Sequence, residues 1–196
     1  MASKLHMENL PRTLELMYRD DKASLRFIDQ RLLPGELKVS EITQWREVID
    51  AIKTLAVRGA PAIGIAGAAA VALWLENDAV VVDEDDFTQA LDIVAREVTD
   101  ARPTAVNLKW AVDKTVAYIH EQLDGGAPLE EMGLNAWMYV QQLTADDERI
   151  NRAIGENGAP LIPDNACILT HCNAGSLATA FYGTALGVIY AASEQG

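Results

Sequence analysis

The longest apolar stretch of the chain, residues 60–75, limits the possible folds more than any other feature. It consists mainly of small and branched apolar residues, and Pro61 stands where the first turn of a helix would begin. The stretch is shorter than the ~20 residues that a helix needs to cross a bilayer. We therefore predict a helix buried in the core, in which Gly64 and Gly67 allow close contact with neighbouring helices.

The composition is that of a soluble globular protein. The chain has 196 residues, of which 49% are hydrophobic and 23% are charged. Its formal net charge of −13 leaves no room for a large basic face, so we expect no nucleic-acid partner. Only two cysteines occur and the first residues do not resemble a signal peptide, so we expect a cytoplasmic protein with no membrane partner and no disulfide framework.

Hydrophobic periodicity predicts a small β layer followed by helices. Two strands at 13–18 and 25–29, joined by a polar turn, form a predicted hairpin, and a short strand follows at 37–39. Ser40 is the expected cap of the first helix. The buried faces expected for three of the helices are Trp45, Val48, Ile49, Ile52 and Leu55; Phe87, Leu91, Val94 and Val98; and Leu108, Ala111, Val112, Thr115 and Ile119. A further helix is expected from about Leu129 to Ile154, with residues 146–148 on a solvated acidic face.

Residues 166–176 (ACILTHCNAGS) carry most of the reactive side chains. Residues 167–169 are typical of a short buried strand, and a helix is expected from Leu177. In open α/β sheets, ligands bind between the carboxyl end of a strand and the following helix, which is where Cys172 stands. We expect Cys167 to be a buried structural residue and His171 to form a local hydrogen bond. The two cysteines and one histidine are too few ligands for a zinc site.

The chain is therefore predicted to be α/β overall. A small β layer and a helical domain occupy residues 1–157, and residues 158–196 form the first strand–loop–helix of a truncated Rossmann-like α/β domain. One strand and one helix cannot make a sheet, so this second domain is incomplete and we expect the chain to be a fragment.

Two arginines stand immediately before proline-containing helix starts. Arg58 precedes Gly59, Ala60 and Pro61, and Arg102 precedes Pro103. A guanidinium group together with free backbone N–H groups at the positive end of a helix dipole favours an anion such as phosphate. The alternative is that both arginines form salt bridges, which are common at helix ends in so acidic a chain.

Three motifs in order resemble the methylthioribose-1-phosphate isomerase family, a group of initiation-factor-2B-like isomerases. The matching segments are 57–64 (VRGAPAIG), 102–108 (RPTAVNL) and 169–175 (LTHCNAG), followed by 183–187 (GTALG). The resemblance extends in register from residues 27–30 (FIDQ) to the last residues of the chain.

The resemblance implies a methionine-salvage enzyme that converts 5-methylthioribose 1-phosphate, an aldose, into 5-methylthioribulose 1-phosphate, a ketose. It implies no metal and no organic cofactor. In this family the arginines of the first two motifs bind the substrate, which points to Arg58, Gly59, Ala60 and Arg102. The cysteine of the third motif, here Cys172, takes part in catalysis with an aspartate. That aspartate would lie beyond the last residue, so we expect this chain to be inactive by itself and the full-length protein to be a homodimer.

Two alternatives remain open. One is a related isomerase acting on ribose 1,5-bisphosphate. The other is a non-catalytic homologue of the regulatory subunits of the translation-initiation guanine-nucleotide exchange factor. Because Arg58, Arg102 and Cys172 occur together, the isomerase is favoured over the non-catalytic protein. The sequence leaves open whether hydrogen moves as a proton through an enediol or by a hydride shift.

Overall fold

The computed structural model describes residues 11–79 and 84–195, and the prediction about a signal peptide concerns residues outside these ranges. The N-terminal layer is an antiparallel sheet in the order β1-β2-β3, with β1 at Leu14–Arg19, β2 at Lys22–Ile28 and β3 at Val39–Ile42. Asp20 and Asp21 connect β1 to β2 with φ angles of 51° and 58°. Two consecutive positive φ angles are the requirement of a two-residue hairpin turn, so the predicted hairpin is confirmed.

Six α-helices follow within the described residues. They are α1 at Trp45–Lys53, α2 at Ala60–Asn77, α3 at Glu84–Thr99, α4 at Val106–Asp124, α5 at Leu129–Gly158 and α6 at Ala185–Gln195. Short 3₁₀ turns at Ala159–Leu161 and Ser176–Ala178 lie between α5 and α6. Every residue of the predicted α3 and α4 faces is buried, as is the α1 face except for Leu55. Ser40 lies in β3, and Gln44 is the residue that precedes α1, so the predicted cap is wrong.

Helix α2 is the centre of the core, as predicted. It contacts α1, α3, α4, α5 and the strands β1 and β2, and its side chains are buried on all faces from Ala62 to Leu75. By length and composition it is the one helix of the described residues that could cross a membrane, but 78% of it is buried inside the protein. A Cβ on Gly64 would lie 2.8 Å from the Asn107 carbonyl oxygen, and one on Gly67 would lie 2.3 Å from Leu108 Cδ1. Both glycines therefore allow α4 to pack closely on α2.

The C-terminal segment differs from the prediction in two ways. Residues 166–170 form no strand, and Ile168 and Leu169 are 44% and 95% exposed. A strand needs a hydrogen-bonding partner, and the described residues supply none for this segment. The helix expected from Leu177 is also absent there, since a 3₁₀ turn ends at Ala178 and α6 begins only at Ala185.

Candidate active site

The turn before α2 holds Arg58 and Gly59 against the C-terminal segment. Gly59 has a φ of 98°, and a Cβ on it would lie 2.4 Å from the Cα of Ala178. Only glycine allows this combination of a positive φ and a close backbone approach. The contact places the Arg58 turn directly on the 3₁₀ turn Ser176–Ala178, which follows Cys172 closely in the chain.

Gln30 forms a second connection between the same two segments. Its side chain is buried, and its Nε2 donates hydrogen bonds to the carbonyl oxygens of Leu177 at 2.8 Å and Arg58 at 3.3 Å. Its Oε1 accepts a hydrogen bond from Arg58 Nε at 3.2 Å. No sequence pattern pointed to a role for Gln30, although it lies in the FIDQ segment that carries part of the resemblance.

Thr13, immediately before β1, and helix α5 hold the rest of this segment in place. Thr13 Oγ1 donates to the Ser176 carbonyl at 2.8 Å, and Thr13 N donates to the Ala180 carbonyl at 3.0 Å. On the other side, Asp147 Oδ2 accepts a hydrogen bond from Ala180 N at 3.0 Å. These tertiary bonds occupy backbone groups that a helix starting at Leu177 would use, which explains why the helix begins later.

Two acidic residues of α5 are anchors, and the prediction of a solvated face is wrong for these two, Asp147 and Glu148. Burial raises the pKa of Asp147, although hydrogen bonds from Ala180 N and Asn151 Nδ2 oppose that shift. Burial also favours the neutral acid at Glu148, but hydrogen bonds from Arg12 and Arg152 outweigh it and lower the Glu148 pKa. The α5 carboxylates therefore link the helix to the C-terminal segment and to the start of β1.

The Arg12 and Arg152 guanidinium groups also cover aromatic rings of the C-terminal segment. Arg12 lies 4.7 Å from the centroid of the Phe181 ring, and Arg152 lies 4.6 Å from that of Tyr182. Each guanidinium thus combines an ion pair with Glu148 and a cation–π contact. Residues 174–184 are consequently held by α5 as well as by the Arg58 turn.

Cys172 lies on the exposed part of the segment. Its φ is 68°, a left-handed conformation that is strained for any residue with a side chain and that occurs often at functional sites. Cys167 is exposed as well, so the prediction that it is buried is wrong. The described structure shows no side-chain hydrogen bond for His171, contrary to the expectation of a local one. The thiol of Cys172 is therefore accessible to a ligand from solvent.

The helix starts that follow the two arginines meet at one cavity of about 180 Å³. Its lining includes Pro61 and Gly64 of α2, Asn107 of α4 and Asp147 of α5. The side chains of Arg58, Arg102 and Cys172 are not part of this lining. The structure thus brings together the first turns of α2 and α4, and it joins the Arg58 turn to the segment after Cys172. It does not enclose the side chains of Arg58, Arg102 and Cys172 in a common cavity.

Neither Arg58 nor Arg102 forms an ion pair with a carboxylate of the described residues. The arginines that do form such pairs are Arg12, Arg26, Arg31, Arg46, Arg149 and Arg152. The alternative that both motif arginines serve as salt bridges is therefore wrong within the described structure. Arg58 is exposed and Arg102 is half-buried, so both positive charges remain available to an anion. In the same ranges no group of three or more His, Cys, Asp or Glu side chains has the arrangement of a metal site.

Comparison with known proteins identifies the family. The model of the initiation factor 2 subunit family matches residues 56–196, a range that includes Arg58, Arg102 and Cys172. The chain belongs to the initiation factor 2 subunit family. Within this family it is 46% identical over 188 residues to the methylthioribose-1-phosphate isomerase of Geotalea uraniireducens, covering 94% of this chain and 51% of the relative. The corresponding protein of Syntrophotalea carbinolica is 46% identical over 179 residues, which are 91% of this chain and 51% of that protein.

Two solved structures have the same fold as this chain. The 5-methylthioribose 1-phosphate isomerase of Pyrococcus horikoshii matches with a TM-score of 0.84 and 37% identity, over 96% of this chain and 51% of that one. The translation initiation factor eIF-2B subunit delta from A. fulgidus matches with a TM-score of 0.78 and 39% identity, over 95% and 52%. The chain thus spans about half the length of the relatives it matches.

Proposed function

We propose that this sequence contributes the phosphate-binding arginines and the reactive cysteine of an aldose–ketose isomerase acting on 5-methylthioribose 1-phosphate. The names of the relatives from Geotalea uraniireducens and Syntrophotalea carbinolica support this reaction. The three motifs that led to the resemblance, around Arg58, Arg102 and Cys172, also support it. The product would be 5-methylthioribulose 1-phosphate, an intermediate of methionine salvage.

The observation that carries the proposal is the contact between the Arg58 turn and the segment after Cys172. A carbonyl-forming reaction on a sugar phosphate needs a cation for the phosphate and a reactive group beside the sugar carbons. Arg58 keeps its charge free of described carboxylates, and Gln30 and Gly59 tie its turn to Leu177 and Ala178. The backbone N–H groups of Gly59 and Ala60 at the start of α2 would add to the binding of the phosphate.

The chemistry assigns distinct tasks to these groups. The anomeric oxygen of the substrate carries the phosphate, so the ring must open with a proton delivered to the ring oxygen while hydrogen moves from C2 to C1. In one route Cys172 accepts the C2 proton as the ring opens and an enediol forms; the proton is then delivered to C1 while the C2 hydroxyl loses its own proton to become the ketone. In the other route the bond between C1 and the ring oxygen breaks, a hydride moves directly from C2 to C1 in a dry site, and the C2 hydroxyl gives its proton to a base of the complete enzyme, while Cys172 stabilises the transition state electrostatically. Both routes keep Arg58 and Arg102 on the phosphate.

The finer architecture is also part of the proposal. We place the boundary between an N-terminal β and helical domain and a Rossmann-like domain at residues 157 and 158. The exposed apolar side chains of Ile168 and Leu169 favour pairing with strands other than those of the described residues. An aspartate from such additional sequence would act with Cys172, and the complete enzyme would be a cytoplasmic homodimer.

The decisive experiment joins this chain to the C-terminal half of the Geotalea uraniireducens relative and follows ketose formation by NMR. We expect turnover of 5-methylthioribose 1-phosphate and its severe loss in the Cys172→Ser variant. Near-normal turnover of that variant would remove Cys172 from the mechanism. No turnover of any sugar phosphate by a folded hybrid protein would contradict the proposed function.

Calorimetry on the same hybrid separates the alternatives. Arg58→Ala should weaken binding of the phosphorylated sugar about 100-fold, the loss typical of one charge-assisted hydrogen-bond pair. Arg96→Ala is the matched control, because Arg96 is an exposed arginine that forms no ion pair with the described carboxylates. Preference for ribose 1,5-bisphosphate would indicate the related isomerase. If neither sugar binds, the similarity to the A. fulgidus initiation factor subunit favours a non-catalytic protein.

A further inference from the structure

Two neighbouring residues at the end of β2 each hold an arginine, but in chemically different ways. Asp29 binds Arg31 through a carboxylate, with Nη2 to Oδ2 at 2.6 Å and Nε to Oδ1 at 2.8 Å. Gln30 binds Arg58 through a neutral amide, with Nε to Oε1 at 3.2 Å. The Arg31 charge is thus compensated in the ion pair, whereas the Arg58 charge is not.

The hydrogen bond to Gln30 uses only the Nε edge of the Arg58 guanidinium. A guanidinium has five N–H donors in a fixed plane, so fixing Nε orients the two terminal nitrogens without consuming them. The donors of the Gln30 amide are used for the carbonyl oxygens of Arg58 and Leu177. Gln30 itself is only 3% exposed, and its N–H donates to the Ala56 carbonyl at 3.0 Å, so its position is fixed by the surrounding core.

We propose that Gln30 is a positioning residue that orients the Arg58 guanidinium toward a phosphate and ties it to the segment that carries Cys172. This inference rests on the proposed function for the identity of the anion. A glutamine suits the task because it supplies one acceptor for Arg58 and two donors for backbone carbonyls. A carboxylate at position 30 would hold Arg58 but would compensate the charge that an anion needs.

The test uses the ¹⁵N-labelled 196-residue chain and the NMR signal of Arg58 Nε–Hε, identified by its absence in Arg58→Lys. Gln30→Met keeps the length and the buried volume of the side chain but removes the amide. We expect the Hε of Arg58 to exchange with water about tenfold faster in this variant, because one hydrogen bond is lost. Gln141→Met is the control, since Gln141 is an exposed glutamine that donates only to the distant Leu16 carbonyl.

Titration with inorganic phosphate tests the consequence for binding. We expect the Arg58 signal of the unmodified chain to shift with phosphate and the apparent affinity to fall about tenfold in Gln30→Met. The double variant Arg58→Ala/Gln30→Met should bind phosphate no more weakly than Arg58→Ala alone. Phosphate affinity is measured in both from the shift of the Gly59 backbone amide signal. A general structural defect would reduce the affinity in both backgrounds, so an equal loss in both would overturn the proposal.

The remaining outcomes separate this inference from the proposed function. Equal Hε exchange in folded Gln30→Met and in the unmodified chain overturns the positioning role. If Hε exchanges faster in Gln30→Met but the Arg58 signal does not shift with phosphate, the positioning role is supported and phosphate binding by Arg58 is overturned. If Gln30→Met does not fold, Gln30→Asn replaces it, because the shorter amide keeps the polar groups but cannot reach Arg58 Nε: Hε should exchange faster and phosphate affinity should fall, and unchanged values of both overturn the proposal.

Discussion

Gly59 and Ala178 approach each other so closely that a Cβ on Gly59 would lie 2.4 Å from the Ala178 Cα. The two residues lie in segments that are far apart in sequence, one before α2 and one after Cys172. Their contact joins the helical core to the C-terminal segment, and the Gln30 hydrogen bonds to Arg58 and Leu177 lie at the same junction.

Replacing Gly59 by alanine should destabilise the chain by about 3 kcal/mol or more, because the substitution combines a positive φ with a backbone clash. Gly126→Ala is the matched control, since Gly126 also has a positive φ of 79° but no atom within 4 Å of its added Cβ. We expect the control to cost only about 1 kcal/mol. Urea unfolding measures both, and equal costs would show that the Ala178 contact is absent.

Asp147→Ala should cost about 1–3 kcal/mol, because it leaves the buried N–H of Ala180 without an acceptor. Asp146→Ala should change the stability by less than about 0.5 kcal/mol, since Asp146 pairs only with the exposed Arg149. Amide hydrogen exchange at Ala180 gives a local measurement. Unchanged protection of that amide in Asp147→Ala would contradict the anchoring role.

Acid should weaken the protein partly through Asp29. Hydrogen bonds from Arg31 lower the pKa of this buried carboxyl below its usual 3.8, so the unfolded chain binds its proton at a higher pH than the folded chain does. The stabilisation is therefore complete above pH values of about 5 and is lost as the pH falls through the folded-state pKa. Unfolding curves at pH 6 and pH 3 give the free energy of unfolding at each pH. The difference between the two values should be smaller in Asp29→Asn than in the unmodified chain. Glu36→Gln, at the exposed surface, serves as the control.

The sugar phosphate should protect one cysteine and not the other. Both thiols are exposed, so iodoacetamide should modify Cys167 and Cys172 in the folded chain. Saturating 5-methylthioribose 1-phosphate should slow modification of Cys172 in proportion to occupancy and leave Cys167 unaffected, as measured by peptide mass spectrometry. Equal rates at Cys172 with and without the ligand, in a chain shown by calorimetry to bind it, would place this residue outside the site.

Local patterns predicted most of the N-terminal part correctly. The hairpin could be predicted because two apolar alternating segments surround a polar turn, and the α3 and α4 faces because apolar residues recur at helical spacing. The buried α2 helix followed from a continuous apolar stretch and from small residues suited to close packing. In each of these cases the information lies within one segment of the chain.

The C-terminal segment was predicted less well because its conformation depends on distant partners. Residues 167–169 have the composition of a strand, but no described strand pairs with them, so they form no strand and are exposed. Asp147 lies in an acidic run that is typical of a protein surface. It is an anchor only because the fold places the Ala180 N–H within hydrogen-bonding distance of its carboxylate. Gln30 has no local pattern that marks it, since its three hydrogen-bond partners come from two remote turns.

The sequence by itself determined the family, the central helix and the residue types of the proposed site, because motifs and hydrophobic periodicity are local properties. Tertiary structure alone decided that the Arg58 turn rests on the segment after Cys172, and that Arg58 stays free of the carboxylates of the described residues. Those facts depend on which residues meet across long sequence separations, and no local spacing encodes that meeting.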